Sequence, residues 1–121
     1  LDHQFSEAYN NRGVAYLRLG QAERAIEDYT RAILYNLDYA EAYQHRGTAY
    51  YNQGDLERAL KDLGDALTLD PELELAYAGR ALALTRLGKD REAEQDLERA
   101  VELGVDRATL EQMVADLKNQ R

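Results

Sequence analysis

The sequence predicts an all-α protein, a stack of three antiparallel helical hairpins closed by one further helix. The first observation is a period of 34 residues, clearest at Tyr9, Tyr43 and Tyr77. The second is that the apolar residues within each period follow the spacing of amphipathic helices. Repeats of this length bury their apolar faces only against their neighbours. The function must therefore be sought on the surface that the stack exposes.

Composition limits the classes of partner. The chain has 121 residues, enough for a single domain spanning residues 1–121. Its net charge of −8 argues against nucleic acid and anionic membranes, which are bound by clustered Lys and Arg. It contains no cysteine and no apolar run long enough to span a bilayer. We therefore expect a cytoplasmic protein without membrane insertion and, since it begins at Leu1, a segment of a longer protein or a processed product.

The first repeat is expected over residues 6–39. Ser6 is the expected N-cap of its first helix, which should end near Gly20. A second amphipathic helix is expected over about Ala22–Tyr35. Because only a few residues connect the two helices, they should lie antiparallel as a hairpin.

The second repeat is expected over residues 40–73. Asp38 and Glu41 form an acidic variant of the capping box before its first helix. The Gly54–Asp55 pair should end that helix and cap the next one. Asp70–Pro71 should then begin the following repeat, because proline is tolerated at the first helical position.

The third repeat is expected over residues 74–107, with Gly88 again ending the first helix. After it the period stops, and Asp106 is placed to cap one more helix over residues 108–121. One face of this helix is apolar, with Leu110, Met113, Val114 and Leu117. Such a helix hides the last apolar face of a repeat stack.

The repeat resembles the tetratricopeptide repeat (TPR) family, whose units carry an aromatic, a small residue and an aromatic in the first helix, then a small residue, Leu or an aromatic, and Ala. The second repeat matches in order at Tyr43, Gly47, Tyr50, Ala59, Leu63, Ala66 and Pro71. The resemblance covers about residues 6–107, although Leu37 and Val105 replace the proline that usually closes a unit. It implies a right-handed superhelix of three helix-turn-helix units and a capping helix, whose first helices line a concave face that binds peptides or partner helices.

Each repeat carries an arginine where many family members have Leu, next to the position at which the helices should approach most closely. An unpaired buried guanidinium would be strongly destabilising, and an aspartate follows 16 residues later in each repeat. We therefore predict bidentate ion pairs between Arg12 and Asp28, Arg46 and Asp62, and Arg80 and Asp96. The alternative is a row of anion-binding arginines.

A second stripe on the first helices changes chemistry between repeats, whereas the packing stripe stays constant. We predict that this variable stripe binds a protein or peptide partner with apolar anchors. The expected partner-binding residues are Asn10, Val14, Leu17, Gln44, His45, Thr48, Tyr51, Leu75, Ala78 and Leu82. The alternative is a solvated inner face, with a partner bound elsewhere or no partner.

One specialisation of the family fits this sequence poorly. Chaperone-adaptor members hold a C-terminal carboxylate with Lys, Asn and Arg on the first helices of three repeats. The corresponding positions here are Asn10, Val14, His45, Leu75 and Gly79. None of these is Lys or Arg, so we expect no capture of an acidic chaperone tail.

The sequence offers no catalytic motif. His3 and His45 lie in different elements, and neither a His-x-x-x-His zinc motif nor a glycine-rich phosphate loop occurs. We predict a non-enzyme without cofactor or metal. Two alternatives to a peptide-binding module stay open. The first is a scaffold that self-associates through its repeat ends, where Leu1 and Phe5 either cover the first repeat or fray; the second is a regulatory segment of a larger protein.

Overall fold

The computed structural model describes residues 3–121, where helices joined by short turns are the regular secondary structure. Its seven helices are α1 (His3–Arg18), α2 (Ala22–Tyr35), α3 (Ala40–Asn52), α4 (Leu56–Leu69), α5 (Glu74–Arg86), α6 (Asp90–Glu102) and α7 (Arg107–Asn119). The first six helices pack as three hairpins, joined through α2 with α3 and α4 with α5, and α7 packs on α5 and α6. The predicted all-α stack with a closing helix is confirmed.

Glycine makes the turn within each hairpin. The first helices are followed by glycines with φ of 76°, 81° and 76°, at Gly20, Gly54 and Gly88. At the first turn, the N–H of Gln21 donates to the Tyr16 carbonyl at 2.9 Å and the N–H of Gly20 to the Leu17 carbonyl at 3.0 Å. These bonds satisfy carbonyls that the helix end leaves free, and glycine adopts the required left-handed backbone without steric cost. The sequence therefore fixes where each hairpin reverses.

The expected cap at Ser6 is wrong, because α1 already begins at His3. Ser6 lies inside the helix and is fully buried. Its hydroxyl donates to the carbonyl of Ala32 in α2 at 2.9 Å. The side chain thus ties two helices together, and its small size suits their close approach.

The expected capping box of Asp38 and Glu41 is also wrong. The helix α3 begins at Ala40 with Tyr39 in the N-cap position, and no side chain caps it. The N–H of Asp38 donates to the Asn36 side-chain oxygen at 3.1 Å. Asp38 therefore belongs to the turn between hairpins, one residue too early to cap the helix.

The Asp70–Pro71 pair ends α4 but does not begin α5, which starts at Glu74. The Asp70 carboxylate accepts the N–H of Glu72 at 3.0 Å, and the Pro71 carbonyl accepts the Tyr77 hydroxyl at 3.0 Å. These bonds make the pair part of a turn that Tyr77 holds against α5. The first-turn position predicted for this proline is therefore wrong.

The other two predicted caps are confirmed. The Asp55 carboxylate accepts the N–H of Arg58 at 3.2 Å at the start of α4. The Asp106 carboxylate accepts the N–H of Thr109 at 2.9 Å and its hydroxyl at 2.7 Å, at the start of α7. Each of these bonds satisfies a donor that the first turn of a helix leaves without a partner.

Small residues allow the two helices of a hairpin to approach closely. A Cβ atom added to Gly13 would lie 2.6 Å from the Tyr29 ring, and one added to Gly47 would lie 2.9 Å from Leu63 Cγ. Tyr29 and Leu63 are fully buried. The large residue of the second helix therefore fills the space that the glycine of the first helix leaves open.

A bidentate ion pair joins the two helices of every hairpin. Arg46 Nε lies 2.8 Å from Asp62 Oδ2 and Arg46 Nη2 lies 2.9 Å from Asp62 Oδ1. The same two contacts, at 2.7 and 2.9 Å, join Arg12 to Asp28 and Arg80 to Asp96. The three aspartates are at most 6% exposed. Because the guanidinium edges are occupied by these carboxylates, the structure favours ion pairs over a row of anion-binding arginines.

We expect Asp62→Ala to destabilise the fold by about 3 kcal/mol, because it leaves the half-buried Arg46 guanidinium without its partner. Asp65→Ala is the matched control, since it breaks the exposed Lys61–Asp65 pair and should cost less than about 0.5 kcal/mol. Urea unfolding followed by circular dichroism measures both. Equal losses in the two variants would contradict the role given to the buried pair.

Two glycine substitutions should change the free energy of unfolding in opposite directions. Gly13→Ala should lower the free energy of unfolding by about 1–3 kcal/mol, because its methyl group would overlap the Tyr29 ring. Gly64→Ala should raise it by about 0.5–1 kcal/mol, because Gly64 lies within α4 and the nearest atom to its added Cβ is 4.0 Å away. The same urea titration compares them. A neutral Gly13→Ala would disprove the close approach.

Candidate functional site

One face of the stack carries an open, mainly apolar cavity of about 480 Å³ between α3, α5 and α7. Six of the predicted partner-binding residues line it, namely Gln44, His45, Thr48, Leu75, Ala78 and Leu82. A second cavity of about 210 Å³ shares Leu82 and Met113 with the first and reaches Tyr51. The two cavities form one continuous groove along the first helices, which we call the α3–α5–α7 groove.

The predicted residues differ in how much surface they offer. Asn10, Gln44 and Ala78 are only 4%, 7% and 9% exposed, because they occupy the side on which neighbouring first helices approach each other. All three take part in packing, which differs from the expectation that the whole variable stripe is free of it, and Gln44 and Ala78 form the floor of the groove. Leu75 is 57% exposed and rises from that floor. The other predicted residues are half-buried, namely Val14, Leu17, His45, Thr48, Tyr51 and Leu82.

The first repeat contributes least to the groove. Asn10, Val14 and Leu17 lie outside both cavities. Val14 and Leu17 instead pack against the cluster around Tyr29. The structure thus concentrates the accessible apolar surface in the second and third repeats.

Sequence reasoning missed the wall that the closing helix adds. Val105, which precedes α7, and Thr109, Leu110 and Met113 within it line the larger cavity. Leu110 is 2% exposed, as a capping residue should be, whereas Met113 is 45% exposed. The apolar stripe of α7 therefore both packs against the last repeat and lines the groove. The available signal was this stripe itself, which the sequence places on one face of the closing helix and which includes Met113.

His45 is the titratable side chain at the wall of the larger cavity. Its Nδ1 lies 2.9 Å from the side-chain oxygen of Asn10, and its ring centroid lies 5.6 Å from that of Tyr29. Burial lowers the pKa of His45 below its usual value, and the nearby Glu41 carboxylate acts in the opposite direction. The imidazole is therefore neutral at neutral pH and donates through Nδ1 to Asn10.

Close to His45, one buried polar group lacks a hydrogen-bond partner. The Tyr29 hydroxyl is buried and has no hydrogen-bond partner among the described residues. Burial, assisted by the Asp28 carboxylate, raises the pKa of Tyr29 to about 12. Tyr29 therefore stays protonated, and it supports the groove by packing and not by charge.

Aromatic side chains gather at the start of the stack. The ring centroids of Phe5 and Tyr35 are 5.5 Å apart, and those of Tyr9 and Tyr35 are 5.8 Å apart. Phe5 is 54% exposed. Leu1, which was expected to act together with Phe5, lies outside the described residues. Self-association through this end, and a regulatory role within a larger protein, stay predictions.

Two further observations concern residues 3–121 alone. No group of three or more His, Asp or Glu side chains in that range is arranged to hold a metal ion. No helix in the same range combines the length and apolar character needed to cross a membrane.

We expect the pKa of His45 to lie below about 6.5, and Glu41→Gln to lower it further by removing a favourable charge. Because the folded-state pKa is the lower one, this residue contributes stability above pH 6.5, and that contribution is lost as the pH falls below this value. A pH titration of the imidazole signals by NMR, with the urea-unfolded chain as reference, measures the shift. A pKa equal to that of the unfolded chain would contradict the burial of this ring.

Comparison with known families agrees with this architecture. The family model described as tetratricopeptide repeat matches residues 10–74 and 46–108. No curated protein sequence matches the chain significantly.

Solved structures give the same result over nearly the whole chain. The second TPR domain of human RPAP3, determined with the HSP70 peptide SGPTIEEVD, is 34% identical, with a TM-score of 0.85, over 96% of this chain and 97% of that one. The second TPR of Spaghetti (RPAP3), bound to the HSP90 peptide SRMEEVD, is 38% identical, with a TM-score of 0.81, over 84% and 94%. The Arabidopsis OM64 TPR domain is 26% identical, with a TM-score of 0.88, over 98% of both chains. With three matching hairpins, the closing helix and the family model in agreement, this chain belongs to the tetratricopeptide repeat family.

Proposed function

We propose that this chain is a non-catalytic protein-interaction module that binds a peptide or partner helix in the α3–α5–α7 groove. The observation that carries the proposal is the apolar cavity of about 480 Å³, which opens beside the exposed side chains of Leu75 and Met113. Concave apolar surfaces with a few polar groups are typical of binding sites. Thr48, Gln44 and His45 supply such groups at the cavity wall.

The related structures support the binding of a peptide but do not identify the ligand of this chain. Two of them hold peptides that end in EEVD. In this chain the positions that resemble the carboxylate-holding positions of chaperone adaptors carry no cation, and they are Asn10, Val14, His45, Leu75 and Gly79. Asn10 is moreover buried and bonded to His45. We therefore propose a partner held by apolar anchors and not by its terminal carboxylate.

A binding role without catalysis agrees with the chemistry of the groove. Its histidine is engaged by Asn10, and the other polar side chains at the wall of the larger cavity are the Gln44 amide and the hydroxyls of Thr48 and Thr109. At the smaller cavity, which Tyr51 also lines, the Asp116 carboxylate accepts a hydrogen bond from the Gln112 amide at 2.8 Å. A nucleophile or general acid requires an activating partner that this set does not offer. Because the chain has no cysteine, we propose a reducing compartment, the cytoplasm, as its location.

A matched pair of substitutions tests the groove. Peptides are first selected from a random dodecamer phage library on the unmodified protein, and their affinities are then measured by fluorescence anisotropy. Leu75→Arg should weaken binding at least about tenfold, because it places a charge at the mouth of the apolar cavity.

Leu37→Arg is the control, since Leu37 is 59% exposed, close to the 57% of Leu75, but lies in the turn before α3 and outside the groove. It should leave affinity unchanged, and circular dichroism should show that both variants fold. Selected peptides that bind Leu75→Arg and Leu82→Arg as well as they bind the unmodified protein would rule out this groove.

A further inference from the structure

We propose that the groove accepts a basic segment, in which an extended peptide carries Lys or Arg about three positions from the apolar side chain that fills the cavity. This inference rests on the proposed function of the groove, and it specifies the partner that the groove selects. It reverses the charge of the acidic peptides held by the related RPAP3 domains.

The first step is a row of equivalent positions along the first helices. Glu7, Glu41 and Leu75 are separated by 34 residues each, so they occupy the same place on α1, α3 and α5. Leu75 lines the larger cavity. Glu41 lies three and four residues before Gln44 and His45, which line it too, and so faces the same side of α3 one turn away. Two carboxylates therefore lie beyond the cavity, in line with Leu75 along the stack.

The second step is that these two carboxylates have no cationic partner. Glu7 and Glu41 are exposed, and within residues 3–121 no Lys or Arg forms a salt bridge with either one. On other faces, by contrast, Glu98 is paired with Arg107 and Asp90 with Arg121. Among the described residues Glu57 and Glu94 on the second helices have no salt bridge either, so what distinguishes Glu7 and Glu41 is their place in line with the groove.

The third step is that Glu7 and Glu41 both influence the same side chain, Tyr39. Burial raises the pKa of Tyr39, and both Glu41 and Glu7 raise it further. Glu41 also acts on His45, on the cavity wall. Glu41 therefore contributes negative potential at the cavity wall, where apolar surroundings screen it less than water does, and Glu7 adds negative potential at Tyr39, just before α3.

The arginines of the stack do not cancel this field. Arg12, Arg46 and Arg80 are held in their ion pairs with aspartate. Arg86 lies over the Tyr51 ring at 4.8 Å and donates to the Tyr51 carbonyl at 3.2 Å. It follows Leu75 by eleven residues, or about 16 Å along α5, and so lies at the opposite end of the groove, where Asp116 faces the smaller cavity.

The distances between Leu75, Glu41 and Glu7 set the distances between the peptide side chains that meet them. Neighbouring helices pack roughly 8–10 Å apart, and a peptide in the extended polyproline II conformation advances about 3.1 Å per residue and turns every third side chain to the same side. A peptide that places a bulky aliphatic side chain beside Leu75 therefore brings its third neighbour to Glu41 and its sixth to Glu7. Lys or Arg at these places meets an unpaired carboxylate, whereas Glu or Asp would be repelled.

The experiment uses the same random dodecamer phage library, selected on the unmodified protein. The selected peptides should be enriched in Lys or Arg three positions from a Leu, Ile, Met or Phe. Glu7→Gln combined with Glu41→Gln should weaken their binding about three- to tenfold, as expected for two exposed ion pairs, and the difference should shrink at 0.5 M NaCl.

The matched control is Glu57→Gln combined with Glu94→Gln, which makes the same change of net charge on α4 and α6 and should alter affinity less than twofold. If Leu75→Arg abolishes binding but the peptides lack basic residues, or if the two double variants bind alike, this inference is wrong and the proposed function stands. If Leu75→Arg and Leu82→Arg both leave binding intact, or if no peptide is selected, the groove itself is disproved and the inference fails with it.

Discussion

The stack depends on how each hairpin brings an arginine and an aspartate together next to a position with almost no side chain. A glycine or alanine in the first helix lets the second helix come close, and the aspartate is then buried too deeply to be solvated. The arginine on the first helix compensates that charge through two hydrogen bonds at fixed geometry. Because both bonds must form together, the pair fixes the rotation of the two helices relative to each other as well as their distance.

This constraint explains why the fold could be predicted from the sequence. The glycine after the first helix and the Arg–Asp spacing are set within a single hairpin. The 34-residue period shows that every hairpin repeats them. Of the three helix starts that were predicted wrongly, two involve Ser6 and Asp38, which are good caps by composition but make their hydrogen bonds elsewhere. Ser6 bonds to the neighbouring helix, and Asp38 belongs to the turn between hairpins. Local preference was overruled by packing in both places.

The groove was predicted only in part, for a related reason. Which residues lie on the variable stripe follows from helical periodicity, so Leu75 and Leu82 could be named. Their accessibility depends on how closely successive first helices pack, which buries Asn10, Gln44 and Ala78. The contribution of Met113 depends on where the closing helix comes to lie across the stack, and no periodic pattern encodes that placement. The least repetitive element therefore contributes the least predictable part of the site.

The position of α7 has a consequence for how such proteins diversify. Since this helix both seals the last hairpin and supplies one side of the cavity, replacing it with another hairpin would exchange Met113 and Leu117 for a different set of side chains. A change in the number of repeats would then also change the ligand that the groove prefers. A duplication that merely extended the stack would at the same time create a new receptor.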